Sequence, residues 1–390
     1  MMRKFAVVML GALALSGCGL FKTKDNIQPP TPLAKFTPTL TVKRLWEAGV
    51  GNGAGNSGVR LEPAVADGVV YAVSTGGDIE ALALASGKRL WSVGTHWREK
   101  RDTRYSSGPA VAGDLLVVGT LDGHVDAFDA KTGKPRWQVT VSSEVISPPV
   151  IVGDRVLVRC NDSHIYALAA SDGKQLWLYD RGSVPALSLR GNGTLLVAGG
   201  AVFFGSDDGK LAALNLADGS SLWEQRLATG EGRTEIQRLD DSDGSLVLDD
   251  GVLYANAYHG SVAAVQAEGG RILWSRPLSG YTGVAVSGGT LIAIDDASNI
   301  WALDKTSGAD VWKQNALDWR WLSAPAIQGK YVVVGDLQGY VHWLDLATGQ
   351  FAAREHLSGK AIRARPLIAG DIAVVADDVG HIAAYRIQAR

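Results

Sequence analysis

Cysteine is nearly absent, with two in 390 residues, so a disulfide framework is excluded. Net charge is almost absent too, formally −2 at pH 7, and leaves no electrostatic case for nucleic acid or an anionic membrane surface. No 3.6-residue hydrophobic period stands out, which sets helical solenoids aside. Beyond the first residues no apolar stretch is long enough to cross a bilayer. There is also no Gly-rich phosphate loop ahead of a helix, and no Ser/His/Asp set rises above the turn background. What is plentiful is glycine, 47 residues, as suits an all-β chain with many tight turns.

Within that background one motif returns. Residues 129–137, DAKTGKPRW, end in a Gly followed four residues later by Trp. The same ending stands at Gly87/Trp91, Gly173/Trp177, Gly219/Trp223, Gly270/Trp274 and Gly308/Trp312. Recurrence of a short element at this period marks a repeat architecture. Three slots align the copies. The first, often Pro, holds Pro63, Pro109, Pro149, Leu195, Leu246, Val284, Pro325 and Pro366. Fourteen residues later come Gly77, Gly123, Ser163, Gly209, Gly260, Ser298, Gly339 and Gly380. Ten further on stand Gly87, Gly133, Gly173, Gly219, Gly270, Gly308 and Gly349.

Each interval predicts local structure. Runs such as AVADGVVYAV after Pro63 are two short strands joined by an Asp-Gly turn. The second slot is a tight turn where glycine supplies positive φ without strain. An alternating strand follows, then a Thr/Ser/Asp-Gly turn and the Trp strand. Four antiparallel strands repeated eight times predict an eight-bladed β-propeller. The eighth copy stops before its Trp strand, while Arg44-Leu45-Trp46 matches Arg89-Leu90-Trp91. The N-terminal strand is therefore expected to complete the last blade and close the ring, removing sheet edges. In the seventh copy Ala353 occupies the Trp slot. The repeated Trp is expected to pack neighbouring blades together. A buried Trp removes about 150–250 Å² from water, roughly 4–6 kcal/mol of gross transfer energy as an upper bound.

The first residues form a targeting segment: Arg3 and Lys4, then an apolar run over 5–15. Leu15-Ser16-Gly17-Cys18 resembles a bacterial lipobox, which implies cleavage before Cys18 and acylation of its thiol and new amine. Gly19 is not the Asp that tends to hold lipoproteins at the inner membrane. The expected organisation is a signal peptide over 1–17, a lipidated N-terminus and flexible, Pro-rich tether over 18–41, and the propeller over 42–390.

With blade cores fixed, function is expected in the inter-blade connections, which share a face with the second-slot turns. Three are long: 92–108, 178–194 and 224–245. The second carries Leu187, Leu189 and Arg190, the third Asp240, Asp241 and Asp243. Apolar side chains flanked by Arg and carboxylates suit a protein–protein contact.

The blade ending A-x-x-x-T/S-G-x-x-x-W resembles the repeats of pyrroloquinoline-quinone (PQQ) dehydrogenases and, equally, those of a non-enzymatic group. Combined with the lipobox, the eight copies and the loops PALSLRG (185–191) and TEIQRL (234–239), it makes the chain resemble the BamB family. These are propeller lipoproteins of the outer-membrane β-barrel assembly (BAM) machinery. The resemblance implies a non-enzymatic scaffold without a cofactor, lipid-anchored at the outer membrane through Cys18 and facing the periplasm. It also implies docking on the periplasmic POTRA domains of BamA through Leu187, Leu189, Arg190, Asp241 and Asp243. Other BAM subunits and unfolded outer-membrane proteins are its further implied partners, and nucleic acid is not one.

The alternatives are a propeller receptor for another periplasmic polypeptide or ligand, and a PQQ dehydrogenase. The second family is larger and pairs two adjacent cysteines under quinone and Ca²⁺, whereas Cys160 stands alone in the folded part and reads as a buried small residue. His124, His164 and His381 all follow the second slot and so are expected apart, with no metal. DSDG at 241–244 has a faint calcium-loop look, but Leu239 and Asp250 stand where carboxylate and Glu ligands belong. The pairs Asp207–Asp208, Asp295–Asp296 and Asp377–Asp378 read as solvated turn residues.

Overall fold

The computed structural model describes residues 28–55, 57–94, 104–182, 193–227 and 244–388. Its 32 strands form eight four-stranded antiparallel sheets. Blades 1 to 7 cover 64–93, 110–140, 150–179, 196–226, 247–277, 284–314 and 326–356, each with its strands in chain order. Blade 8 joins residues 367–388 to β1 (Thr41–Gly49), whose partner is the last strand, β32 (His381–Gln388). That pairing runs from Thr41 opposite Gln388 to Gly49 opposite His381, so the N-terminal strand closes the ring. The first strand of each blade is three or four residues long and lies nearest its counterparts in adjoining blades, while the fourth strand is outermost.

Among the described residues eight hydrophobic clusters lie one between each pair of neighbouring blades, and a small ninth gathers Ala54, Val59 and Ile146 from the connections. This explains the strand patterns. Second and third strands, covered on both faces, are buried almost continuously, as in Leu115–Gly119. Fourth strands face solvent and alternate, as in Arg89–Val93.

The Trp slot works between blades. Each Trp stands opposite a small residue on its own third strand: Trp91 opposite Ala81, Trp177 opposite Ala167, Trp274 opposite Ala264. Its ring then lies against the third-slot Gly of the next blade. A Cβ on Gly219 would sit 2.6 Å from the Trp177 ring, and one on Gly349 would sit 2.6 Å from Trp312. The indole Nε1 donates to the carbonyl three residues before that Gly: Trp46 to Leu84, Trp91 to Ala130, Trp137 to Ala170, Trp177 to Leu216, Trp223 to Ala267, Trp274 to Lys305 and Trp312 to Leu346. Glycine is thus required twice over, by a φ near +70° and by the neighbour's indole. Of these seven only Trp46 and Trp177 are buried, at 8% and 7% exposure, so the gross transfer figure for a buried indole overstates most of these contacts. A β-bulge beside each Trp pushes the preceding residue outward, which is why Leu90, Leu176, Leu222, Leu273 and Val311 are exposed.

The second slot takes positive φ in seven blades; in blade 5 His259 does so instead of Gly260. Upstream of the closing strand, Thr31–Leu40, within the stretch assigned to the tether, is hydrogen-bonded to the seventh-blade region. Thr31 N donates to Asp318 O, and Thr39 N and Leu40 N both donate to Ala352 O. Among the described residues no helix is long and apolar enough to cross a membrane.

Candidate functional site

The strand order places second-slot turns and inter-blade connections on one face of the ring. The two connections expected to carry partner contacts enter and leave blade 4, so both flank its second-slot turn, Ser206–Gly209. Leu187, Leu189, Arg190, Asp241 and Asp243 themselves lie outside the described residues, as do Cys18 and 95–103 of the first long connection. What is described is the frame that holds them.

That frame is charged and braced. At the end of blade 3, Arg181 reaches Asp208 of the blade 4 turn at 2.5 Å. Lys210 Nζ lies 3.3 Å from the same carboxylate and 2.9 Å from Glu224. Burial alone would raise the Asp208 carboxyl, but hydrogen bonds from Arg181 and Ser206, with the charges of Arg181 and Lys210, outweigh it and hold the group below the usual carboxylate range. Behind it, Arg159 of blade 3 pairs with Asp207 at 3.1 Å, both side chains almost wholly buried. Ser163 Oγ donates to Asp207 Oδ2 at 3.4 Å, and the Arg159 guanidinium lies over the Phe204 ring. A buried pair contributes little net stability but strongly penalises loss of one partner, so it fixes blade 3 against blade 4.

On the far side of blade 4, Leu227 N donates to Gly209 O before the second connection begins. Where that connection returns, Ser245 forms a parallel bridge with Gly283. Gly244 has no room for a side chain, since a Cβ would lie 2.3 Å from Asn256 Oδ1. Both long connections therefore spring from a rigid blade.

The paired aspartates, expected as solvated turn residues, are mostly partnered instead. Asp207 is buried against Arg159, and Asp208 is partnered as above. Asp295 and Asp377 sit three residues before the second slot and cap that turn. Asp295 Oδ1 accepts from Ala297 N and Asn299 N, and Asp377 Oδ1 from Val379 N and His381 N. Asp336 does the same for Gln338 N and Tyr340 N. Asp296 is exposed, as expected, whereas Asp378 pairs with Arg363 at 3.3 Å.

The histidines stand on separate blades with separate partners: His124 with Thr140, His164 with Asp162 and Asp180, His381 with Asp377. Among the described residues no three His, Cys, Asp or Glu side chains gather as metal ligands would. Cys160 occupies the turn-cap position of its blade; burial first, then the charge of Asp162, pushes its thiol up to about 12, so it is not poised as a nucleophile. Residues 241–243 of the calcium-like stretch lie outside the described residues, and Asp250 is an exposed turn residue.

Arg159, Arg181 and Lys210 were missed by sequence reasoning. Their charges are visible in the sequence, but their partners lie 48, 27 and 14 residues away across blades or strands. One partial signal could have been read: the position after the turn cap holds an acid in three blades, Asp207, Asp296 and Asp378, and only a search for a cation on the neighbouring blade separates the first from the others.

A family model described as "Outer membrane protein assembly factor BamB" matches residues 76–314 and 302–389. An outer membrane protein assembly factor BamB of Xanthomonas campestris is 46% identical over 399 residues, spanning 99% of this chain and 98% of its own. The crystal structure of BamB from Moraxella catarrhalis is 26% identical and superposes with a TM-score of 0.80, covering 89% of this chain and 100% of that one. A quinohemoprotein alcohol dehydrogenase from Comamonas testosteroni, 14% identical with a TM-score of 0.71 over 88% of this chain and 76% of its own, shares the fold alone. With eight blades, seven of whose junctions are Trp-linked, and a match along nearly its whole length, this chain belongs to the BamB family of outer membrane protein assembly factors.

Proposed function

We propose that the chain is a non-enzymatic scaffold subunit of the BAM complex, held at the outer membrane by lipid on Cys18 and facing the periplasm. The two connections around blade 4 dock on the POTRA domains of BamA through Leu187, Leu189, Arg190, Asp241 and Asp243. The docked propeller holds those domains in an orientation that assists folding and insertion of β-barrel proteins. The observation that carries the reading is positional: both connections flank one turn on one face, with stems braced by Arg181–Asp208 and by the Ser245–Gly283 bridge. Aliphatic side chains beside an Arg and two carboxylates, presented on a rigid support, are what a protein contact of this kind uses.

Co-purification from membranes tests it. The parent chain is expected to recover a barrel-assembly partner, and a Leu187→Asp, Arg190→Ala, Asp241→Ala variant to lose it. Equal recovery by the variant, or no recovery by the parent, overturns the docking reading. A Cys18→Ser variant is expected to leave the membrane fraction; retention there would refute the anchor.

A further inference from the structure

The loop-bearing face carries a second feature, built by connections other than those around blade 4. A cavity of about 350 Å³ opens among Arg60, Tyr258, Tyr281, Thr282, Trp321 and Arg363, which come from the connections into blades 1, 6, 7 and 8 and from the second-slot turn of blade 5. Its size is at the lower end of ligand sites.

Three observations single it out. First, Trp319 and Trp321 are 39% and 52% exposed. Among the described residues, the other exposed large apolar side chains are the outward bulge leucines and valine beside the repeat Trp, together with Leu178. These two tryptophans follow no repeat rule. Both hold positive φ, +60° and +50°, a conformation costly for a bulky side chain and retained where surroundings over-determine it. Here the surroundings are explicit. Between the two, Arg320 is buried and tied to Asp336, Gln338 and Thr31 O. Trp319 N donates to Ala297 O, and Trp321 N to Ser298 Oγ. The backbone is pinned so that both indoles face outward.

Second, Arg60 has no salt bridge within contact distance among the described residues; its guanidinium lies over the Tyr281 ring, 5.9 Å from the centroid, and its charge also acts on the Glu62 carboxyl. Arg363 is half exposed with Asp378 as its one charged partner. Third, Thr282 is 4% exposed, and its Oγ1 has no hydrogen-bond partner among the described residues. A buried hydroxyl left unsatisfied is costly.

We propose that this cavity binds a peptide segment in which an aromatic or large aliphatic side chain neighbours a carboxylate. Tyr258, Tyr281 and Trp321 receive the apolar side chain, Arg60 takes the carboxylate as a charge-assisted pair, and Thr282 supplies a further polar contact. The occupant is a peptide rather than a small anion because Tyr258, Tyr281 and Trp321 line the cavity with aromatic surface that an anion alone would leave uncovered. This site is separate from the POTRA-docking reading and does not depend on it.

Calorimetric titration of the full chain in detergent tests it with three peptides: acetyl-Glu-Phe-Glu-Phe-amide, its Lys/Phe counterpart and its Glu/Ser counterpart. Saturable binding is expected for the first and at least about tenfold weaker binding for the other two. Arg60→Gln and Trp321→Ala, both at accessible positions, are each expected to weaken the first peptide by about tenfold with melting temperature unchanged. Thr282→Val should weaken it by a smaller factor while the fold is retained or stabilised. No saturable binding, equal binding of the Lys/Phe peptide, or parent-like affinity in both Arg60→Gln and Trp321→Ala overturns the proposal. So does Trp321-dependent binding to phosphatidylglycerol vesicles without peptide binding.

Discussion

Seven of the eight blade junctions are built alike, and the one between blades 7 and 8 is not. At each of the seven, an indole crosses from a fourth strand to the turn between third and fourth strands of the next blade. In blade 8 that turn does not exist, because its third and fourth strands are β32 and β1, from opposite ends of the chain. A Trp at 353 would have no Gly to lie on and no carbonyl to reach. The large–small pair is accordingly reversed, with Trp343 on the third strand opposite Ala353 on the fourth.

Trp343 is fully buried, donates to Gln328 Oε1 at 2.8 Å and meets the Tyr385 ring edge-on. Gln328 Nε2 donates onward to the carbonyls of Asp371 and Tyr385, joining blade 7 to blade 8. Outside, Phe36 stacks on Phe351, and Arg354 lies over both rings while donating to Ala34 O. A repeated apolar contact is replaced at the seam by a buried polar network and an arm of preceding chain.

The two kinds of junction should therefore fail differently. The largest effect is expected beside the seam, at Arg320 in the connection into blade 7, where it joins the chain before β1 to the blade 7 turn; its replacement by Met leaves the buried Asp336 carboxylate without its guanidinium. The cost should be about 3–5 kcal/mol in urea unfolding; a cost comparable to a surface substitution would show that the network is not structural. Next, Trp177→Ala should cost about 3–5 kcal/mol at a regular junction, and Trp177→Phe, which keeps the ring and loses the Leu216 bond, about 1 kcal/mol. Ala353→Trp provides the converse: it should destabilise rather than staple, by about 1–3 kcal/mol, since Ala353 is already enclosed. A gain in stability there would break the explanation of the seam. Gly219→Ala should also cost about 1–3 kcal/mol, from its φ of +74° and the 2.6 Å approach to Trp177.

The smallest effect is one of pH. His342 Nε2 donates to Asp336 Oδ2 and its Nδ1 accepts from Arg354 Nε, a neutral ring. Burial first, with the charges of Arg354 and Arg320, lowers its pKa against the opposing pull of Asp336. A lowered histidine favours the native state fully above its unfolded pKa of about 6.5, and that contribution falls away as pH drops below it. Unfolding free energy should decline below that point by up to about 1.4 kcal/mol per pH unit for this one proton. In His342→Gln the slope between pH 7.5 and 5.5 should be shallower than in the parent; an unchanged slope would remove His342 as its source.

The architecture was readable because it is written locally. Strand alternation, Asp-Gly turns and slots separated by 14, 10 and 4 residues are short-range consequences of strand length and turn geometry, and they led to eight blades and to β1 closing the ring. The same spacing located the connections around blade 4. It did not show that Asp207, Asp295 and Asp377 turn inward, because a cap and a solvated carboxylate look alike in a turn sequence. Nor did it explain why Ala353 fills the Trp slot of the seventh copy, which follows from Trp343 standing opposite it.

What the sequence determined alone, then, is the unit, its number and the order of its strands, since each depends on residues within about one blade of one another. The tertiary structure decided what those units do to each other. It assigned each indole to the next blade's glycine, gave Arg159 its partner in Asp207, and replaced the missing staple at the seam with Gln328 and the chain before β1. It also turned Trp319 and Trp321 to the surface around a buried Arg320. These choices depend on which groups meet across a closed ring, and closure brings together positions as far apart as Arg44 and His356, a separation over which no local propensity carries information.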